Sequence, residues 1–325
     1  MLLKIDQNIK NVLIIGSGSI ANQHIKNLVN LKINVFVIIK NQNEKKRFDG
    51  GIIKKIKFIS SISELKKQIF FAIVASSTHK HIDHIKFLIK EKINIFCEKP
   101  ISNTLQDIKN LRKKIISKKI FFYVNYQLIQ HNLINKMIKK IKGKKINYIE
   151  VRVGQNLKYW RKKKIRKDSY FVDSKKGGGA IFELVHEINL INNIFGKIIK
   201  IKTITKNILN NYNKCEDQAI SLFETNKKIS GTLVQDMVSN NKVRYIKIFM
   251  NKSIIKLDFI KNRICIIDGK KTNIIKNKLQ DLQKNLIKKN IESFIDIINR
   301  KKFSIKFFDE AVYDLKICNK MHEKF

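Results

Sequence analysis

The chain has 325 residues, a hydrophobic fraction of 43% and a formal net charge of +42. That length allows two domains with sizeable cores, and that apolar content excludes disorder as the default state. The lysines run the whole length, interleaved with Ile, Asn and Phe rather than clustered, which argues against a specific nucleic-acid footprint.

From residue 11 to about 124, short apolar runs alternate with amphipathic stretches. "NVLIIG", "INVFVIIK", "IKFIS", "FFAIVAS", "INIFCEKP" and "IFFYVNY" predict strands, while "THKHIDHIKFLIKEK" and "TLQDIKNLRKKIIS" space Ile, Leu and Phe as helices do. Unalternating apolar strands separated by helices imply a parallel sheet covered on both faces. The expectation for residues 1–123 is a doubly wound α/β Rossmann domain. Residues 124–325 then change rhythm: a helix near 131–141, a strand "INYIEVRVG", a long basic loop and one glycine-led helix, "GGGAIFELVHEINLINNIF". "DQAISLFET", "KISGTLVQD", "RYIKIFM", "SIIKLDF" and "RICIIDG" follow as strands, and "NLIKKNIESFIDIINR" and "FDEAVYDLKICNKM" close the chain as helices. This predicts a second, α+β domain built on a large, mostly antiparallel open sheet, whose exposed face suits a homodimer or homotetramer.

Lys, Ile, Asn and Phe are residues of A/T-rich codons, and the single proline fits the same bias, so most of the charge reads as composition written over solvated faces. A field this positive still favours anionic ligands such as phosphorylated cofactors or nucleotide sugars. Cys97, Cys215, Cys265 and Cys318 make no C-x-x-C pair, so no metal site or disulfide framework is indicated. The first apolar run, Val12 to Ile15, is too short for a signal-peptide core or a membrane span, and a cytoplasmic protein is expected.

The stretch "NVLIIGSGSIANQH" joins a strand to a helix through two glycines. Gly16 permits the sharp turn and Gly18 lets the backbone approach a pyrophosphate at the head of a helix opened by Ser19 and Ile20, with Ala21 as the third small residue. A merely structural bend is the competing reading. NAD sites usually carry an acid at the end of the second strand; here Lys40 occupies that place, which points to NADP(H) over NAD(H).

Three further motifs fall in matching places: Ala75, Ser76, Ser77 and Thr78 through His81 after the fourth strand; Glu98-Lys99-Pro100 after the fifth; and Gly177-Gly178-Gly179 leading to His186-Glu187-Ile188. In these the chain resembles the Gfo/Idh/MocA family of nicotinamide-dependent sugar and cyclitol oxidoreductases. The resemblance implies that Ser76, Thr78, His81, Glu98 and Lys99 line the cofactor, that Lys99 also hydrogen-bonds the reacting hydroxyl, and that His186 moves the proton. Three glycines ahead of His186 suggest close backbone approach to a ligand or a neighbouring domain. Many relatives place Asp four residues before the histidine. Here Phe182 stands there and Glu183 follows, so Glu183 would orient His186 across a shared helix face or act as the carboxylate itself. Asn189 replaces a usual Asp, and "VNYQLIQ", with Tyr126 on the substrate side, replaces a run that usually contains arginine.

The loop "QNLKYWRKKKIRKDSYFVDSKKGGG" offers Trp160 and Tyr170 as stacking faces and Arg161 and Arg166 as cationic forks for a sugar-type substrate. Its likeness to relatives in surface-glycan and nucleotide-sugar pathways is analogy. The expected activity is hydride transfer between NAD(P) and a secondary alcohol or ketone of a sugar, cyclitol or nucleotide sugar. A non-catalytic Rossmann protein that binds cofactor or ligand is the alternative.

Overall fold

The computed structural model describes residues 11–39, 41–48, 50–64, 69–160, 169–209, 215–277 and 283–323, with the backbone alone at Trp160, Gln283 and Lys284. The chain divides into two compact units, Met1–Tyr126 with Gln283–Val312, and Gln127–Leu282 with Tyr313–Phe325. A linear division at residue 123 does not express the return of 283–312 to the first unit.

The first unit is built on strands β1 (Asn11–Ile15), β2 (Asn34–Ile38), β3 (Ile56–Ile59), β4 (Phe71–Val74), β5 (Asn94–Cys97) and β6 (Phe122–Val124). All pairs are parallel, in the order β3-β2-β1-β4-β5-β6. Every residue of β1 and β4 is buried, which is why these strands read as unbroken apolar runs. Helices α1 (Ser19–Asn30), α2 (Gly50–Ile53), α3 (His81–Lys90) and α4 (Ile108–Ser117) form the crossovers. Strand order reverses between β1 and β4, the switch point where open sheets of this kind bind ligands beyond their carboxyl ends.

In the second unit come α5 (Asn132–Ile141), β7 (Ile146–Gly154), α6 (Leu157–Trp160), α7 (Ala180–Glu183), α8 (His186–Ile194), β8 (Ile198–Lys206), β9 (Gln218–Thr225), β10 (Ser230–Asp236), β11 (Val243–Met250), β12 (Ser253–Asp258), β13 (Arg263–Asp268) and β14 (Lys271–Lys276). The eight strands run β14-β13-β12-β11-β7-β10-β9-β8, antiparallel except for the β7 and β10 pair. Helices α9 (Gln283–Asn299) and α10 (Lys306–Lys320) end the described chain. Ile287, Ile291, Phe294 and Ile298 of α9 recur at helical spacing and enter the core of the first unit. There Phe294 meets Phe71 at 5.3 Å and Phe96 at 5.7 Å between ring centroids.

One predicted helix is two. The Leu184 backbone leaves helical geometry between α7 and α8, and its carbonyl accepts a 2.8 Å hydrogen bond from the buried amide of Gln235. A side chain thus takes over an acceptor that a continuous helix would satisfy internally. At the head of α7, Glu216 accepts from Ala180 N through its carbonyl (3.0 Å) and from Ile181 N through Oε1 (3.0 Å). His322 places Nε2 3.3 Å from Glu216 Oε2 and stacks on Phe182 at 5.3 Å.

Asn189 and Asn192 lie on the buried length of α8 and donate to the two oxygens of fully buried Asp314, at 2.8 and 2.7 Å. Asn192 Oδ1 in turn accepts from Ile198 N at 2.8 Å, fixing the start of β8. The amide at 189 therefore serves a carboxylate supplied by α10.

Replacing Asn189 with Asp sets two buried carboxylates face to face and is expected to cost about 3 kcal/mol near neutral pH. The new pair holds a raised folded-state pKa, so the loss shrinks as pH falls toward about 5, where one carboxyl keeps its proton. Urea denaturation of both proteins at the two pH values measures it. At His322 burial lowers the pKa, but the hydrogen bond and charge of Glu216 and the Cys318 carbonyl outweigh it, and the net direction is upward. Stability from this pair is fully present below the unfolded-state value of about 6.5 and is lost as pH rises through the folded-state value. His322→Gln should therefore lower the melting temperature more at about pH 6 than at about pH 9, by thermal denaturation.

Candidate functional site

The switch point of the first unit begins at Gly16, whose φ of +134° suits glycine and whose added Cβ would meet Ala75 O at 2.4 Å. The glycine thus lets β1 turn directly over the end of β4. Gly18 is the extended N-cap of α1, and an added Cβ there would meet nothing within 4 Å. The first amides of α1, Ser19 and Ile20 among them, precede the helix's hydrogen-bonding ladder, and its first turn carries no acid. Open space, free-facing amides and the positive end of a helix dipole fit a pyrophosphate. The fold can therefore hold a dinucleotide here on the chemistry of its own backbone.

Glu98 follows β5 and is buried. Its Oε1 accepts from Asn125 Nδ2 at 2.7 Å and lies 2.6 Å from His24 Nε2. Asn125 Oδ1 accepts from Asn290 Nδ2 at 2.7 Å, and Asn290 Oδ1 accepts from the Tyr123 hydroxyl at 2.9 Å. Four separate elements, α1, β5, β6 and α9, thus fix one carboxylate. Burial raises its pKa, but the hydrogen bond and charge of His24, the Asn125 amide and the charge of Lys99 together hold it below the usual value. Glu98 is accordingly ionised at neutral pH, and its Oε1 faces protein donors. Lys99 is the half-buried next residue, its own N–H 3.4 Å from Glu98 Oε2 and its peptide bond to Pro100 cis.

His81 is buried between two loops, with Nδ1 2.9 Å from Pro100 O and Nε2 3.0 Å from Ser76 O. Burial lowers its pKa against both carbonyls, so the neutral ring donates to one of them. It braces the β4 loop against the Glu98-Lys99-Pro100 loop. Ser76 Oγ lies 2.9 Å from His84 Nδ1, and Thr78 is buried. Burial pushes the Cys97 thiol well up, leaving it unreactive. Tyr126 is buried. Lys40 lies outside the described residues, while Arg47, which the sequence reading passed over, reaches the glycine turn with Nη1 3.2 Å from Ser17 Oγ.

In the second unit Glu183 ends α7 and His186 opens α8; both are buried. The intervening break means that a shared face of one helix does not relate them. Glu187 receives Arg244 Nε at 2.6 Å and Nη2 at 3.1 Å, a two-pronged pair that ties α8 to β11. The glycines ahead of them admit the unit's own groups. A Cβ on Gly178 would strike the Tyr170 carbonyl at 2.5 Å, and one on Gly179, at φ +106°, would strike Glu216 Oε1 at 2.3 Å. Tyr170 is half-exposed and packs edge-on against Phe171. The side chain of Trp160, and Arg161 and Arg166, lie outside the described residues. Among the described residues no group of three His, Cys, Asp or Glu is placed to hold a metal, and no helix is long and apolar enough to cross a membrane.

His24 carried a faint sequence signal, a polar residue on the apolar stripe Ala21, Ile25 and Leu28. Asn290, 165 residues beyond Asn125, carried none.

No curated protein matches the sequence significantly. Among solved structures, the chain is similar to UDP-N-acetylglucosamine 3-dehydrogenase from Acidithiobacillus ferrooxidans at 14% identity and a TM-score of 0.78, covering 96% of each chain. It is similar to levoglucosan dehydrogenase in complex with NADH and L-sorbose at 12% identity and a TM-score of 0.83, covering 96% of this chain and 95% of the other. Biliverdin reductase from Synechocystis, in complex with biliverdin and NADP+, shares 12% identity at a TM-score of 0.77, with 96% and 97% covered. Residues 10–126 match the NAD-binding Rossmann fold of the Gfo/Idh/MocA oxidoreductase family, and residues 134–256 match the C-terminal domain of the same family. With both units matched in order, the chain belongs to the Gfo/Idh/MocA family of oxidoreductases.

Proposed function

We propose that the protein is an NAD(P)-dependent oxidoreductase of sugar-type substrates, acting on a secondary alcohol or ketone of a sugar, cyclitol or nucleotide sugar, with NADP(H) preferred. The observation that carries this reading is the ionised Glu98 fixed directly behind Lys99, in the same parallel sheet as the glycine cradle. Membership of an oxidoreductase family and likeness to two sugar dehydrogenases support it. A nicotinamide in the cradle would supply or accept the hydride at C4.

Gly16 and Gly18 clear the backbone for the phosphates, and the first amides of α1 bind them. Lys99, at the carboxyl end of β5, donates to the substrate oxygen and stabilises the negative charge that develops on it. His186, assigned by family pattern, takes the hydroxyl proton during oxidation and returns it during reduction. Glu183, three residues before it, is proposed as its carboxylate helper, and Tyr126, Trp160, Arg161 and Tyr170 are proposed substrate contacts. A cytoplasmic homodimer or homotetramer is the proposed setting.

Replacing Lys99 with Ala should lower kcat by about a hundredfold or more while NADPH affinity holds, read by turnover in a sugar screen and by nicotinamide fluorescence. Retained turnover would refute the role. Gly18→Asp separates fold from function: the extended N-cap accepts Asp, so the melting temperature should hold or rise slightly. The carboxylate facing the phosphates should nonetheless weaken NADPH and NADH alike by about tenfold or more. Unchanged binding would remove the dinucleotide from the cradle.

A further inference from the structure

We infer that Arg47 builds, together with the Ser17 hydroxyl, a phosphate-monoester site that takes the ribose 2′-phosphate of NADP(H). This rests on the reading of the glycine cradle as a dinucleotide site and gives its NADP preference a residue within the described structure. The turn Gln42–Arg47 follows β2, the strand paired directly with β1, so it lies beside the glycine turn at the carboxyl edge of the sheet. Dinucleotides lay the adenosine ribose over this edge, where NAD sites keep an acid for the 2′-hydroxyl.

Two ties fix Arg47 there. Its Nη1 donates to Ser17 Oγ at 3.2 Å, and Ser17 stands between the two glycines. Its carbonyl accepts from Asn22 Nδ2 at 3.2 Å, and the same amide reaches the Gly18 carbonyl at 3.0 Å. Backbone and guanidinium are therefore both pinned to the cradle. The partner of the guanidinium is a neutral hydroxyl, and among the described residues no carboxylate pairs with it. Four of its five N–H donors remain beyond the one bonded to Ser17, on an exposed side chain. The neighbouring Lys45 is engaged elsewhere, its ammonium 5.2 Å from the centre of the Phe58 ring. A dianionic phosphate can accept from the guanidinium fork and from the Ser17 hydroxyl together, whereas a ribose hydroxyl gains little from a cation.

The test is titration of the full chain and of Arg47→Gln and Arg47→Lys with NADPH and NADH by nicotinamide fluorescence, and with 2′,5′-ADP and 5′-ADP by competition. The wild type should favour the 2′-phosphorylated member of each pair. Arg47→Gln should weaken NADPH and 2′,5′-ADP by about ten- to a hundredfold and leave NADH and 5′-ADP nearly unchanged. Arg47→Lys should fall between, because a point charge lacks the planar fork. Equal weakening of all four ligands would overturn the proposal by assigning Arg47 to the pyrophosphate or to support of the turn. Unchanged affinities, or a wild type that binds NADH more tightly than NADPH, would overturn it too while leaving the dinucleotide cradle standing. A wild type that binds neither nucleotide would remove the cradle's reading, and this one with it.

Discussion

The first unit is organised around a carboxylate that has been taken out of water. Losing one partner of such a buried charge costs about 3–5 kcal/mol, so the groups around Glu98 are constrained as a set. His24 comes from the crossover after β1, Asn125 from the end of β6, and Asn290, which orients Asn125, from α9 near the other end of the chain. Each element must dock correctly for the charge to be satisfied. Because the folded-state pKa of Glu98 lies below its usual value of 4.5, the stability it contributes is present above that value and lost as pH falls through the folded one. The same constraint places a fixed negative charge one residue from Lys99, at the edge where open sheets bind ligands.

The second unit solves a similar problem with amides. Asp314 is fully buried, and its two oxygens accept from the amides of Asn189 and Asn192. A departure from the family pattern at 189 is thus intelligible without reference to substrate: the amide is what a carboxylate on α10 requires. Glycine does related work ahead of His186. Gly178 and Gly179 give up their side chains so that the Tyr170–Phe171 backbone and Glu216 can close on the start of α7. What the sequence pattern suggests as room for a ligand or a neighbouring domain is occupied by the unit's own polar groups.

The parallel sheet was legible because burial on both faces leaves its strands almost purely apolar, and the six runs quoted from the sequence contain β1 to β6. The strands β8 and β14, at the two edges of the large sheet, were not singled out, since exposed edges carry lysines and lose the alternation of a half-buried strand. The break at Leu184 was invisible for another reason: it depends on Gln235, fifty-one residues away, whose amide captures a carbonyl. Of the site, the glycine turn and Glu98-Lys99-Pro100 could be found because their chemistry is local. The partners that hold Glu98 could not, because His24 and Asn290 acquire meaning only when α1 and α9 pack together.

A chain carrying a formal charge of +42 cannot designate an anion site by composition. Most of its lysines are equivalent points on solvated faces, where screening leaves each with little specific effect. Designation has to come from geometry that restricts a cation's partners. Lys45 is drawn to an aromatic face, Lys86 to Asp107 and Arg112 to Asp309, each a cation turned to a local partner. Arg47 differs in being held at both its backbone and its guanidinium against a turn that itself has no side chains to offer at Gly16 and Gly18. In the proposed reading the glycines make room for an anion and the arginine supplies directional charge at its margin, so the two features together would specify one ligand more narrowly than either alone.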